Sequence, residues 1–310
     1  MIYTLTLNPA IDRELLVPAF TFGEVLRASA QRVDAGGKGF NVSRALRALG
    51  VESVALGFVG GHAGQMIAEL LSRLSIAADF VPIAGGETRT NVTVLAEGRH
   101  LKVNESGPSI TRGEEGELLD KIRRLARKGD LWVLSGSLPP GASPGIYAEI
   151  VGMVEGAGGR ALLDTSGPAL AAGCSAGPFL VKPNAAEASE LTGLLVRTFG
   201  EGEAAAGAIR RMGVGRVLIS LGRQGALLSE QGRVLRATPP PIVERNPIGA
   251  GDALLAGLVW GLSRELPLPE AFRLAVACGA GAASLPGTSF AGPALVAELA
   301  RQVSFSDPGS

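Results

Sequence analysis

The segment Asn246-Pro-Ile-Gly-Ala-Gly-Asp-Ala-Leu-Leu-Ala-Gly257 sets three small residues and one acid directly before an apolar run at helical spacing. Backbone N–H groups of Gly249, Ala250 and Gly251 then stand free at a helix N-terminus, a ready site for an anion. Asp252 falls in the first turn beside them. A carboxylate next to an anion hole suits removal of a hydroxyl proton while the N–H groups hold a transferring phosphoryl group. The helix dipole alone would also favour an acid there, so a plain Gly-rich helix start is the competing reading. Pro247 fixes φ and removes one donor just upstream.

Asp34-Ala-Gly-Gly-Lys-Gly-Phe-Asn41 is a second glycine-rich turn. Gly36, Gly37 and Gly39 permit close backbone approach to a ligand, Lys38 puts positive charge at a helix start, and Asn41 adds an amide. The spacing is neither that of a Walker A loop, which needs Lys-Ser/Thr after its last glycine, nor that of a dinucleotide fingerprint. Ser135-Gly-Ser137-Leu-Pro-Pro-Gly141 and Lys182-Pro-Asn184-Ala-Ala-Glu187 each follow a strand-like run, where ligands gather in α/β sheets. Asn184 and Glu187 could hold a metal-bound water, or Asn184 could simply cap a helix. Ser220-Leu-Gly222-Arg-Gln-Gly225 is as fit for a hairpin as for a nucleotide. Asp12 and Arg89 are polar residues in apolar or small-residue surroundings, open between surface and site.

The elements that must position these residues follow from periodicity. Ile2–Leu7, Val54–Val59, Leu131–Leu134, Ala161–Leu163, Phe179–Val181 and Val217–Ser220 are short apolar runs, most of them followed by a polar loop and a helical pattern. Helices are expected over Lys38–Leu49, Gly64–Leu74 and Ile110–Lys128, the last with Thr111 as N-cap. That alternation predicts an α/β fold with a doubly wound, mainly parallel sheet. Glu14–Val33 and Thr88–Asn104 break the rhythm and read as a few antiparallel strands, a small sheet over one end of the main body. The tail Ser304–Ser310 is expected to fray.

Composition narrows the class. The 310 residues are 46% hydrophobic and 19% charged with zero formal net charge, so a large core forms and no basic field draws nucleic acid. Lys121, Arg123, Arg124, Arg127 and Lys128 read as a solvated helix face. No apolar run is long enough to span a bilayer, and the opening residues pattern as a strand and not as a signal peptide. Cys174 and Cys278 read as reduced, packed thiols of a cytoplasmic protein. His62 and His100 are too few for a histidine metal cluster.

In chain order, Thr6–Asp12 (TLNPAID), Gly36–Asn41 (GGKGFN), Gly86–Asn91 (GETRTN), SGSLPPG, KPNAAE, SLGRQG and GAGDALLAG resemble the motifs of the PfkB, ribokinase-like carbohydrate kinase family. TLNPAID and GGKG are similar to its phosphosugar branch: 1-phosphofructokinases, tagatose-6-phosphate kinases and minor 6-phosphofructokinases. The resemblance implies one ribokinase-like domain over residues 1–310 with a small β-sheet lid from about 12–34 and 87–105. It implies ATP and Mg²⁺ as cofactors, a phosphosugar substrate, and a homodimer formed through the lid. By that likeness Asp252 is the catalytic base and Gly249, Ala250 and Gly251 the anion hole. Asp12, Gly37, Lys38, Asn41, Arg89 and Ser137 match positions that hold the sugar phosphate. Lys182, Asn184, Glu187, Ser220, Gly222 and Gly225 match the nucleotide side, with Glu187 reaching the metal through water and adenine near Ala277–Ala283.

Two departures matter, the first for nucleotide contacts and the second for the sugar. Asn246-Pro247-Ile248 replaces a commoner Ser/Thr-Val pair before the anion hole. Val25 stands where some 6-phosphofructokinases of the family carry a phosphate-binding lysine, whereas Asn104-Glu105 is similar to 1-phosphofructokinases. The expected order is fructose 1-phosphate, then tagatose 6-phosphate, then fructose 6-phosphate. A non-catalytic phosphosugar-binding regulator is the alternative class; the presence of Asp252 beside Lys38 and Arg89 argues against it. A dehydrogenase would need a glycine fingerprint where Asn8-Pro9-Ala10 stand.

Overall fold

The computed structural model describes residues 1–307. Its first third holds β1 (Ile2–Thr6), β2 (Ala10–Leu16), β3 (Ala30–Gly36), α1 (Lys38–Ala48), β4 (Val54–Val59), α2 (Gly61–Arg73), β5 (Ala77–Ala78), β6 (Val81–Pro82), β7 (Arg89–Ala96) and β8 (Arg99–Asn104). The middle continues with α3 (Arg112–Leu125), β9 (Leu131–Ser135), α4 (Ile146–Gly156), β10 (Arg160–Asp164), α5 (Gly167–Ser175), β11 (Leu180–Val181), α6 (Ala185–Thr192) and α7 (Phe199–Arg210). The last third holds β12 (Arg216–Ser220), β13 (Ala226–Glu230), β14 (Arg233–Thr238), α8 (Ala250–Ser263), α9 (Leu268–Ser284), α10 (Pro293–Gln302) and β15 (Ser304–Ser306).

The main sheet runs β15-β14-β13-β12-β11-β10-β9-β1-β4-β5, with β6 beside β4. From β4 through β1, β9, β10 and β11 to β12 every pair is parallel. From β12 to β15 the pairs are antiparallel. Its central strands are unbroken apolar runs because both faces are covered. Val133 and Leu162 point into one core with Leu46 of α1, Leu255 of α8 and Phe272 of α9. Their neighbours Trp132, Leu134 and Leu163 point into the other, against α3, α4 and α7. The doubly wound, mainly parallel sheet expected from the sequence is the one observed.

Thr111 caps α3 as expected, in a reciprocal box with Glu114. The C-terminal tail departs from expectation: Ser304–Ser306 pair with β14, and Arg233 donates to Asp307 at 3.0 Å. The remainder of the expected fraying tail, 308–310, lies outside the described residues.

A separate four-stranded sheet has the order β3-β2-β7-β8. Its two hairpins are antiparallel, but β2 and β7 pair parallel, against the all-antiparallel expectation. Both strands leave the main body at one root, where Arg89 is tied to the Asn8 carbonyl, so they run outward in the same direction. The stretch between β2 and β3 is not strand; it is an irregular loop with Phe22 and Val25 exposed. No helix among the described residues is long and apolar enough to cross a membrane.

Candidate active site

The start of α8 is built by a turn. Gly249 takes φ 82°, a left-handed conformation that glycine adopts without strain. Asn246 Oδ1 accepts the Ile248 N–H at 3.0 Å, and the Ala250 N–H donates to the Pro247 carbonyl at 3.2 Å. Ala250 therefore does not offer its N–H to a ligand as the sequence suggested. The N–H groups of Gly249, Gly251 and Asp252 have no backbone partner among the described residues and remain available at the helix end.

Asp252 is buried, and the Asn41 side-chain amide donates to its Oδ2 at 2.8 Å. A second acid, Asp164 at the end of β10, is fully buried nearby. Lys38 donates to Asp164 Oδ1 at 2.9 Å, and the Lys182 ammonium lies 3.0 Å from Oδ2. Lys38 also comes within 3.8 Å of Glu187 Oε1. The Lys182 ammonium stands 3.6 Å from where a side chain on Gly251 would begin, beside the α8 N-terminus. Five ionisable groups from α1, α6, α8 and the ends of β10 and β11 thus converge.

Their titration reflects that packing. Burial, and then the charge of Asp164, push the Asp252 carboxyl up to about 6, against the pull of Asn41, Lys182 and Lys38. Burial would also raise Asp164, but the two lysines outweigh it and hold its pKa below the usual carboxylate range. Lys38 is held above the ordinary lysine value: burial opposes this, and the charge and hydrogen bond of Asp164, with Glu187, prevail. The cluster therefore keeps one acid firmly ionised and leaves the other, at the anion-binding helix end, free to take a proton near neutrality.

The structure brings Lys38, Asn41, Lys182, Glu187, Gly249, Ala250, Gly251 and Asp252 into one cluster. Asp164 was missed; its signal was an acid closing a buried parallel strand, at the carboxyl end where α/β sites gather. The glycines of the GGKG turn have a different immediate cause from the one expected. A side chain at Gly36 would overlap the Asp12 carboxylate, and one at Gly39 would come within 2.7 Å of the Leu5 carbonyl. Gly36 lets β3 pass the Asp12 side chain of β2, and Gly39 lets α1 lie directly on β1.

Asn184 and Glu187 form a capping box on α6: Asn184 Oδ1 accepts the Glu187 N–H and Glu187 Oε2 accepts the Asn184 N–H, both at 2.9 Å. Arg89 spans two loops, donating to the Asn8 carbonyl at 2.8 and 3.2 Å and to the Glu105 carbonyl at 3.0 Å. Asp12 accepts from Asn91 at 2.9 Å on the small sheet, where Asp34, Asp12, Asn91 and Asn104 share one row. Ser137 is exposed in the loop after β9.

Beside the α8 start lies a cleft of about 670 Å³. Ser220, Gly222 and Gly225 line it from the β12–β13 hairpin, and Val276, Gly279, Ala280 and Ala283 line it from α9. The α9 wall lies in the segment to which the resemblance assigned adenine. Pro239, Pro240, Pro241 and Ile242 close the far side, and Arg223 and Glu244, joined by bonds of 3.0 and 3.1 Å, stand at it too. None of these six was singled out from the sequence, because a run of prolines and a surface ion pair look like ordinary loop.

For a divalent metal the donor set is sparse. Among the described residues no group of three or more His, Cys, Asp or Glu could hold an ion. Glu187 spends Oε2 on its cap, and its Oε1 faces the Lys38 ammonium at 3.8 Å without a hydrogen bond. That suits an ion carried mainly by nucleotide phosphates and water, as Mg²⁺ commonly is.

A doubly wound sheet with an acid at a helix N-terminus, two lysines and an apolar cleft is the equipment of a phosphoryl-transfer enzyme. The model of the pfkB family carbohydrate kinases matches residues 4–295, and the chain belongs to that family. It is similar to a 1-phosphofructokinase of Bacillus subtilis, 38% identical over 91% of this chain and 92% of that protein. A tagatose-6-phosphate kinase of Staphylococcus epidermidis is 35% identical over 90% and 91% of the two chains. Among solved structures, the tetrameric inhibited form of Escherichia coli phosphofructokinase-2 superposes with a TM-score of 0.89, at 30% identity over 97% and 98% of the chains.

Proposed function

We propose that this ATP-dependent sugar-phosphate kinase phosphorylates a ketohexose phosphate to the 1,6-bisphosphate, with fructose 1-phosphate preferred. The observation that carries the reading is the buried Asp252 carboxylate at the α8 N-terminus, tuned to about 6 and set beside Lys182 and Asp164. In this mechanism Asp252 accepts the proton of the acceptor hydroxymethyl group as its oxygen bonds to the γ-phosphorus and the bond to ADP breaks. The Gly251 and Asp252 N–H groups and the Lys182 ammonium stabilise charge on the transferring group. Gly37 and Lys38, at the start of α1, meet the phosphate already on the sugar. Asp12, Asn41, Arg89 and Ser137 hold the sugar phosphate, and the cleft between the β12–β13 hairpin and α9 holds the nucleotide. Mg²⁺, bound by the nucleotide phosphates and through water by Glu187, would neutralise phosphate charge.

Fructose 1-phosphate stands first because Val25, exposed in the β2–β3 loop, offers no cation for a 6-phosphate, and because of the Asn104-Glu105 pair. Tagatose 6-phosphate is the second reading, favoured by the Staphylococcus epidermidis relative. The test is kcat/KM on fructose 1-phosphate, tagatose 6-phosphate, fructose 6-phosphate and free fructose, with the product phosphates located by NMR. Fructose 1-phosphate should lead, by a margin that needs only about 1.4 kcal/mol per tenfold. A higher value on tagatose 6-phosphate would select the second reading, and equal rates on free fructose would end both. We further assign a homodimer formed through the small sheet acting as lid. A cytoplasmic location suits the two buried, unpaired thiols.

A further inference from the structure

Arg44, one turn beyond Asn41 on α1, is 9% exposed and has no place in the mechanism above. Its guanidinium makes three hydrogen bonds in three directions. Nη1 donates to Asn41 Oδ1 at 3.2 Å, and Nη2 donates to Asp34 Oδ1 at 3.0 Å and to the Thr288 carbonyl at 3.1 Å. It also lies 5.4 Å from the centre of the Phe290 ring, whose edge is 3.5 Å from where a side chain on Gly249 would begin.

The first bond has a chemical consequence. The two ends of an asparagine amide are nearly the same shape, and only their partners decide which end faces where. Asn41 must present its NH₂ to Asp252, because its oxygen would meet a carboxylate oxygen with no proton between them. A donor on Asn41 Oδ1 enforces that choice, and Arg44 is that donor. The residues sit at i and i+3, so one helix face carries both. The other bonds join the same guanidinium to β3 of the small sheet, through Asp34, and to the segment before α10. Thr288 completes that link by donating its hydroxyl to Asp34 Oδ2 at 2.9 Å.

We infer that Arg44 is a positioning residue for the transfer step: it fixes the Asn41 amide so that the amide orients and stabilises the ionised Asp252, and it ties that orientation to the root of the small sheet. The inference rests on the reading of Asp252 as general base. The alternative is that Arg44 merely neutralises buried Asp34. That acid, however, has a second cation in Arg32, whose Nε is 2.6 Å from Oδ2, so neutralisation alone does not require Arg44.

Three variants separate these roles: Arg44→Met, Arg44→Lys, and Arg44→Met combined with Asn41→Ala. Lysine keeps the charge beside Asp34 but cannot supply the planar fork that reaches Asn41 and Thr288 together. Arg44→Met and Arg44→Lys should each lower kcat about tenfold or more with an unchanged KM for ATP, and Arg44→Lys should keep the melting temperature. In the Asn41→Ala background, removing Arg44 should lower kcat by less than about twofold further, because the amide it orients is gone. The acidic limb of kcat against pH should move to higher pH in both single variants. Asp252 faces Asp164, Lys182 and Lys38 as well as Asn41, and those three are left in place, so the loss of the Asn41 donor is the change that would move it.

Equal losses of kcat in the wild-type and Asn41→Ala backgrounds would overturn the inference, as would full kcat in Arg44→Lys. If Arg44→Met fails to fold, the lysine variant and its pH limb decide alone. Asp252→Asn, assayed beside them, keeps the two claims apart. Retained turnover there defeats the general-base reading, whereas lost turnover with additive Arg44 effects defeats only the positioning role.

Discussion

The carboxyl ends of the main sheet's central strands and the small four-stranded sheet solve opposite problems. At the strand ends of the main sheet, Asp164, Lys182 and Asp252 are withdrawn from water while Lys38 is part-exposed, and each has a charged or amide partner within about hydrogen-bond reach. A buried charge without a partner is costly, so such a cluster has one arrangement. The small sheet keeps its polar row of Asp34, Asp12, Asn91 and Asn104 on one face. Its other face, beyond the root, is apolar and half in water, with Leu101 and Val103 more than half exposed. The buried ionisable cluster therefore sits where packing leaves one arrangement, and the small sheet, which we propose meets the sugar, retains unpartnered apolar surface.

The largest expected effect falls on the buried cluster. Asp252→Asn keeps the shape and the Asn41 contact but removes the base, and turnover should drop roughly 10²–10⁴-fold with little change in sugar-phosphate binding. In the wild type, Asp252 must be ionised to act, so kcat should rise with pH through about 6 and level off above it. A steady-state pH series checks both; near-normal turnover of the asparagine variant would remove Asp252 from the chemistry.

Next comes Asp164→Asn, which leaves the buried Lys182 ammonium and the part-exposed Lys38 ammonium facing a neutral amide. Breaking a buried ion pair from one side costs about 3–5 kcal/mol, so the melting temperature should fall clearly. The same change takes away the second-largest influence raising Asp252, so the acidic limb should move to lower pH, opposite to the Arg44 variants. A limb that stays in place would show that Asp164 is a structural anchor only.

The two regions were also unequally legible. The α8 start announces itself locally, because Gly-Ala-Gly-Asp before an apolar helix leaves few alternatives for its donors and its acid. The small sheet was legible as strands but not as topology, since the parallel β2–β7 pairing is set by where both strands leave the main body. Asp164 was hidden because its partner Lys38 is 126 residues away and neither residue has a local partner that hints at the other. The GGKG glycines were visible, yet spacing could not distinguish approach to a ligand from approach to Leu5 and Asp12. Arg44 lay inside a plain helical pattern, and only the fold reveals what its guanidinium touches.

The smallest expected effect on chemistry belongs to the small sheet. Val92 pairs with Val103 and Val94 with Leu101, while Leu15 lies beside Val94, so these side chains share the face that the root does not cover. The outermost strand, β8, has every residue exposed. A second copy laid against this face would bury the apolar rungs and shield that edge. Leu101→Glu with Val103→Glu should give a monomer by light scattering at micromolar concentration while leaving Asp252 and its cluster untouched. The resulting loss of kcat/KM should be less than about tenfold, equivalent to under about 1.4 kcal/mol, and should appear in the KM for the sugar phosphate. A fully active wild-type monomer would reject the dimer. A dimer or tetramer that survives both glutamates would place the contact on another face and leave the exposed rungs without a partner.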